Sequence, residues 1–93
     1  MSSPPTPSRF TEKQGQYLAF IYTYTLVNGR PPAEADMQRF FEVTPPTVHR
    51  MIVELEARGM IRRIPRQPRS IAVAVSAAEL PQLQPINSSV AGY

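Results

Sequence analysis

Eleven prolines in 93 residues decide where this chain can be regular. A proline inside a helix removes a hydrogen bond and clashes with the preceding turn, so each one marks an end, a turn or a tail. They fall in groups: Pro4, Pro5 and Pro7; Pro31-Pro32; Pro45-Pro46; Pro65 and Pro68; Pro81 and Pro85. Residues 1–9 hold three prolines and three serines and read as a disordered N-terminal tail. Residues 81–93 look similar and read as a flexible C-terminal tail. The folded unit is expected over 10–80, as one domain without internal repeats. A chain this short buries roughly 60% of its unfolded surface, which supports one modest core and neither a catalytic barrel nor a doubly wound sheet.

Composition narrows the chemistry. There is no Cys and only one His, which excludes disulfides, thiolate metal sites and multi-histidine sites. No Gly-rich phosphate loop or cluster of carboxylates stands out, so no enzyme and no cofactor is expected. No effector pocket is expected in so small a core. The longest nearly apolar stretch, Tyr17 to Val27, is shorter than the roughly 20 residues of a membrane span. The N-terminus has no apolar run of the secretory kind. The expectation is an intracellular, soluble protein without a membrane partner, cytoplasmic and nucleoid-associated if bacterial.

Three helices are legible. The first opens at Thr11, with Gln14 three positions on as in a capping box, and Phe10 placed to staple onto the first turn. It ends at Gly29, and Pro31-Pro32 forbids continuation. Leu18, Ile21 and Thr25, with part of Tyr17 and Tyr22, share one face. Phe20, Tyr24 and Val27 share the opposite one, so this helix wants two burial partners. The second helix is expected from Glu34 to Phe41, with Glu34 and Asp36 at its dipole-favoured start and Met37, Phe40 and Phe41 as its apolar stripe. The third opens at Thr44, with Pro45 and Pro46 in its first turn, and runs to Arg58 before Gly59. Val48, Met51, Ile52 and Leu55 form its inward stripe; Pro46, Arg50, Val53 and Ala57 point away.

Beyond it the pattern becomes extended. Met60 to Ile64 reads as a strand, and Ile71 to Val75 alternates large and small residues with period two. Pro65 to Arg69 between them is a polar turn, so the pair reads as a β-hairpin. Ser76 to Glu79 is expected to form a last helical turn. Helices two and three lie about three residues apart, the spacing of a helix-turn-helix, and a hairpin directly afterwards is a wing. The fold class is therefore mainly α with a small β-hairpin: a winged helix-turn-helix of three helices and a two-stranded wing.

Five stretches carry a family likeness. Phe10-Thr-Glu-Lys-Gln14, Gly29-Arg-Pro-Pro32, Glu34-Ala-Asp-Met37, Val43-Thr-Pro-Pro-Thr-Val48 and Leu55-Glu-Ala-Arg-Gly-Met-Ile-Arg-Arg63 resemble the N-terminal DNA-binding domain of the LexA repressor. Thr47 to Arg63 is also similar to MarR-type regulators. The likeness covers about residues 10–75. It implies sequence-specific binding of double-stranded DNA, with base contacts at Thr44, Pro46, Thr47, His49 and Arg50. Two positions depart from the family pattern. Ala33 stands where a capping Thr or Ser is frequent, and Glu42 where a turn Gly is frequent, so the turn is expected to take a different shape. The family's self-cleaving domain, with its Ser–Lys pair, is not expected in these residues, and that activity is not carried over.

Charge agrees with the likeness. Residues 44–70 hold six Arg against two Glu, whereas 1–43 are neutral. Affinity for DNA grows with the phosphates such a patch neutralises. Arg50 has the geometry to read guanine with two hydrogen bonds, and Thr47 can touch a thymine methyl or a phosphate. Arg66, Gln67 and Arg69 at the wing tip are expected on the backbone or in a minor groove, and Arg62 and Arg63 on phosphates. The alternatives are a solvated arginine face, with His49 a polar flank residue, and a winged-helix module that binds protein with an incidental basic patch. The face of Phe20, Tyr24 and Val27 either packs under segment 76–86 or forms a homodimer interface, the latter slightly preferred because such proteins bind paired half-sites as two-fold dimers.

Overall fold

The structure, a computed structural model, describes residues 9–86. In chain order it holds α1 (Glu12–Asn28), α2 (Glu34–Phe41), α3 (Pro45–Ala57), β1 (Ile61–Arg62), β2 (Ala72–Val73) and a 3-10 turn over Ala77–Glu79. Three helices followed by an antiparallel hairpin make the winged helix-turn-helix expected from the sequence. Residues 1–8 and 87–93, which take in nearly all of the expected N-terminal tail and the end of the C-terminal one, lie outside the described residues.

Local chemistry sets the helix ends. The Thr11 hydroxyl accepts from the Gln14 N–H, and the Gln14 side chain accepts from the Thr11 N–H, which closes the capping box. Phe10 folds back over Gly15, where a Cβ would sit only 3.0 Å from its ring and 3.1 Å from Pro81. A glycine inside the helix thus relieves a close approach and is not there for backbone freedom. Gly29 closes α1 in the left-handed conformation, φ 71°.

At α2, Ala33 has no oxygen to cap with. Asp36 supplies half of the box instead, accepting from the Ala33 N–H at 2.8 Å. The α2–α3 turn does not change shape to spare Glu42. That residue takes the left-handed conformation itself, φ 55°, at a cost of roughly 1–2 kcal/mol. At α3 the Thr44 backbone is extended as an N-cap should be, but its hydroxyl pairs with the Thr47 hydroxyl at 2.9 Å. The first two helical positions are prolines without N–H groups, and the Thr47 N–H already donates to the Thr44 carbonyl, so the side chain has no backbone donor left to cap.

The core lies where α1, α2, α3 and the hairpin meet. Tyr17, Leu18, Ile21, Met37, Phe41, Val48, Ile52 and Leu55 are completely buried. Tyr17 stacks on Phe41 with ring centroids 4.1 Å apart, and burial pushes its phenol pKa up to about 12. The face of Phe20 and Tyr24 is used inside the monomer. Phe20 packs on Phe40 at 4.8 Å, on Phe41 at 5.6 Å and on Tyr24 at 5.7 Å. Val27 alone of the three expected interface residues is widely exposed. The end of segment 76–86 lies along α1 at Gln16, one turn before Phe20: Gln16 donates to the Gln82 carbonyl and accepts from the Gln84 N–H. Leu80, Leu83 and Ile86 pack against the core, so residues 81–86, expected as tail, are docked.

The strands are two residues each, with Ile61 opposite Val73 and Arg62 opposite Ala72, shorter than the expected 60–64 and 71–75. The ladder stops because the loop satisfies its groups locally. The Ile64 N–H donates to the Ser70 hydroxyl at 2.9 Å, and the Gln67 N–H donates to the Ile64 carbonyl. Among the described residues no helix is long and apolar enough to cross a membrane.

Candidate nucleic-acid interface

The two sides of α3 have different fates. Val48, Ile52 and Leu55 are fully buried, as the 3.6-residue period requires. Thr44, Pro46, His49 and Arg50 are exposed, and Thr47 half so. The prolines at the first two helical positions fix the backbone of that end. Among the described residues Arg50 makes no hydrogen bond or ion pair. Its guanidinium is open to a ligand. His49 faces Glu34, with Nδ1 at 3.4 Å from the carboxylate.

The wing divides its cations. Arg62, exposed on β1, and Arg66, exposed in the loop, have no partner among the described residues, and the Gln67 side chain is likewise open. Two arginines expected at phosphates are engaged within the protein. Arg63 donates through Nε to Glu56 at 2.9 Å and lies 3.8 Å from Glu34. Arg69 turns from the loop tip toward the body. Its Nη1 donates to the Asp36 carboxylate at 3.1 Å, to the Tyr24 hydroxyl at 3.2 Å and to the Pro31 carbonyl at 3.4 Å. The reason is desolvation: Asp36 is only 8% exposed, and a buried carboxylate is costly unless paired. Arg66 and Arg69 both hold left-handed backbones, φ 64° and 58°, a loop strain of order 1–3 kcal/mol at each that its surroundings must enforce.

Asp36 gathers this region. Desolvation alone would raise its pKa. The Ala33 N–H and the charges of Arg69 and Arg39 outweigh that and hold the carboxyl below its usual range. Asp36 and Tyr24 are the residues that sequence reasoning missed as partners of the wing. Asp36 was legible only as a helix-start anion and Tyr24 only as an apolar-face residue. Nothing in local spacing links them to an arginine 33 or 45 positions further on.

Among the described residues no group of three His, Asp or Glu could hold a metal ion. The exposed α3 face and the free wing cations suit an anionic, grooved ligand rather than a small molecule.

The family model for the LexA DNA binding domain matches residues 7–70. The LexA repressor of Thermosipho melanesiensis is 38% identical over 65 residues, which cover 70% of this chain and 33% of that protein. The LexA repressor of Bartonella quintana is 39% identical over 64 residues, 68% of this chain and 27% of its own length. That of Bacillus subtilis is 30% identical over 86 residues, 91% of this chain and 42% of its own. The chain spans about a third of the length of these curated relatives. With three helices, a two-stranded wing and a model match over most of its folded residues, this chain belongs to the LexA DNA-binding-domain family.

Proposed function

We propose that this domain binds double-stranded DNA in a sequence-specific way and serves a transcriptional regulator that acts by occupying an operator. The observation that carries the reading is the pairing of a fully buried inward stripe on α3 with an outward face whose Arg50 has no partner among the described residues. An α-helix fits the major groove of B-DNA, and a guanidinium can bridge guanine O6 and N7. In this reading Arg50, Thr47, Thr44, Pro46 and His49 face base edges. Arg62, Arg66 and Gln67 take the backbone. Arg63 and Arg69 act on the protein side, not on phosphates. Paired binding to half-sites by two copies accords with the symmetry usual for helix-turn-helix proteins. It would use a surface other than Phe20 and Tyr24, and place the protein with cytoplasmic or nucleoid DNA.

Selection of bound sequences from a random duplex pool, followed by affinity measurements across a salt series, tests the proposal. The expected outcome is a defined site, palindromic if two copies bind, and log affinity falling with log salt at about −0.9 per phosphate neutralised. No enrichment, or binding insensitive to salt, would overturn it in favour of a protein-binding module.

A further inference from the structure

Building on the DNA-binding reading, we infer that Asp36 and Tyr24 are positioning residues for the wing: through Arg69 they hold the loop at the angle at which Arg66 and Gln67 meet the phosphate backbone. The need for such a device follows from the hairpin itself. A ladder of two residues per strand is too short to fix where the loop of residues 63–71 points. The loop does fix its own shape. The Ser70 hydroxyl accepts from the Ile64 N–H and donates to the Gln67 carbonyl at 2.8 Å. These bonds lie within residues 64–70 and say nothing about direction. A groove of about 600 Å³ runs between the loop and the residues Ala33, Glu34 and Glu56 of the body, so apolar packing does not hold the loop down either.

Arg69 bridges that space. One nitrogen of its planar guanidinium lies within hydrogen-bond reach of acceptors on α1, on the α1–α2 connection and on α2, which share its two hydrogens and converge on it from three elements. Asp36 is itself immobilised by the Ala33 N–H and by Arg39. Arg63, bound to Glu56, fixes the outgoing limb at its base; Arg69 fixes the returning limb. The loop is thereby tied to α2, the helix against which α3 is packed. The exposed helix face and the free cation Arg66 are held at one spacing, as a ligand that presents bases and phosphates at fixed separation demands.

The test is a double-mutant cycle on the full chain with its selected duplex, reading affinity and salt slope together. Asp36→Asn keeps one oxygen for the Ala33 N–H and removes the charge together with one of the two acceptor oxygens. Arg66→Ala should lower the salt slope by about 0.9. Asp36→Asn should lower it by a similar amount, while the ranking of base-pair-substituted sites, read by α3, stays as in the parent. The double variant should lose no more than the larger single loss. A parental slope and affinity in folded Asp36→Asn, or additive losses in the double variant, would overturn the inference. If Asp36→Asn does not fold, Tyr24→Phe, which deletes one hydroxyl, takes its place in the same cycle: a smaller, non-additive loss supports the strut and additivity refutes it. A parent that binds no DNA instead sinks the DNA reading, and the strut with it. DNA binding with unchanged slopes in the anchor variants sinks the strut alone.

Discussion

The outward face of α3 and the wing loop carry the same residue type to opposite ends. Arg50 sits on a regular helix, and Glu54, one turn on, accepts from Gln14 instead, so the Arg50 guanidinium stays open among the described residues. Arg63, Arg66 and Arg69 of the wing sit on irregular backbone, two of them left-handed, and are sorted by what the body offers. Arg69 meets Asp36, Arg63 meets Glu56 and Glu34, and Arg66 meets no partner among the described residues. A cluster of like charges is therefore not one surface. Part of it is structural cement, and only the remainder is available to a partner.

That contrast can be broken at several strengths. The strongest test sets the two sides of α3 against each other. Ile52→Ala should destabilise the fold by about 2–5 kcal/mol, since the side chain is wholly buried; chemical denaturation reads this, and an effect within 0.5 kcal/mol or so would put the core elsewhere. Arg50→Ala should leave stability alone and cost about 1–3 kcal/mol of affinity for the selected site, with relaxed preference at one base pair. Titration against single-substituted duplexes checks it, and unchanged affinity would mean that this face does not read DNA.

Acid sharpens the wing side. The folded pKa of Asp36 lies below its unfolded value, so the unfolded chain takes up the proton first. The stability this carboxylate contributes is present above the unfolded carboxylate range near about 4 and is lost as pH falls through the lowered folded value. Denaturation midpoints measured down an acid series should fall less for Asp36→Asn than for the parent. Identical acid profiles would remove Asp36 from the account. The smallest effect concerns the turn that joins the two regions. Glu42→Gly removes a left-handed penalty of roughly 1–2 kcal/mol but adds the entropy cost of glycine, so a gain of about 1 kcal/mol or less is expected in thermal unfolding. A loss would show that the Glu42 side chain contributes something its backbone conformation does not reveal.

Much of this molecule was legible before any coordinate. The limits of α2 matched because an anionic first turn and the Glu42-Val43 break bracket a short apolar stripe. The capping box at Thr11 and the proline start of α3 are local chemistry, complete within four residues. The inward stripe of α3 followed from helical period alone. The errors share one cause. The sequence leaves Phe20 and Tyr24 between segment 76–86 and a second copy, puts Arg63 and Arg69 on DNA, and reads residues 81–86 as a tail. Each was assigned without its partner, because Phe40, Asp36, Glu56 and Gln16 lie far away in the chain.

The amino-acid sequence by itself determined the element order, the helix ends, the buried side of α3 and the excess of cations in its second half. These depend on interactions within a turn or two of backbone, where neighbours in the chain are neighbours in space. Only the tertiary structure decided which arginines remain available, how the wing is braced and what covers α1. The competition among carboxylates for a given guanidinium is settled by distance and desolvation, and neither is defined until α1, α2 and the hairpin have closed on one another.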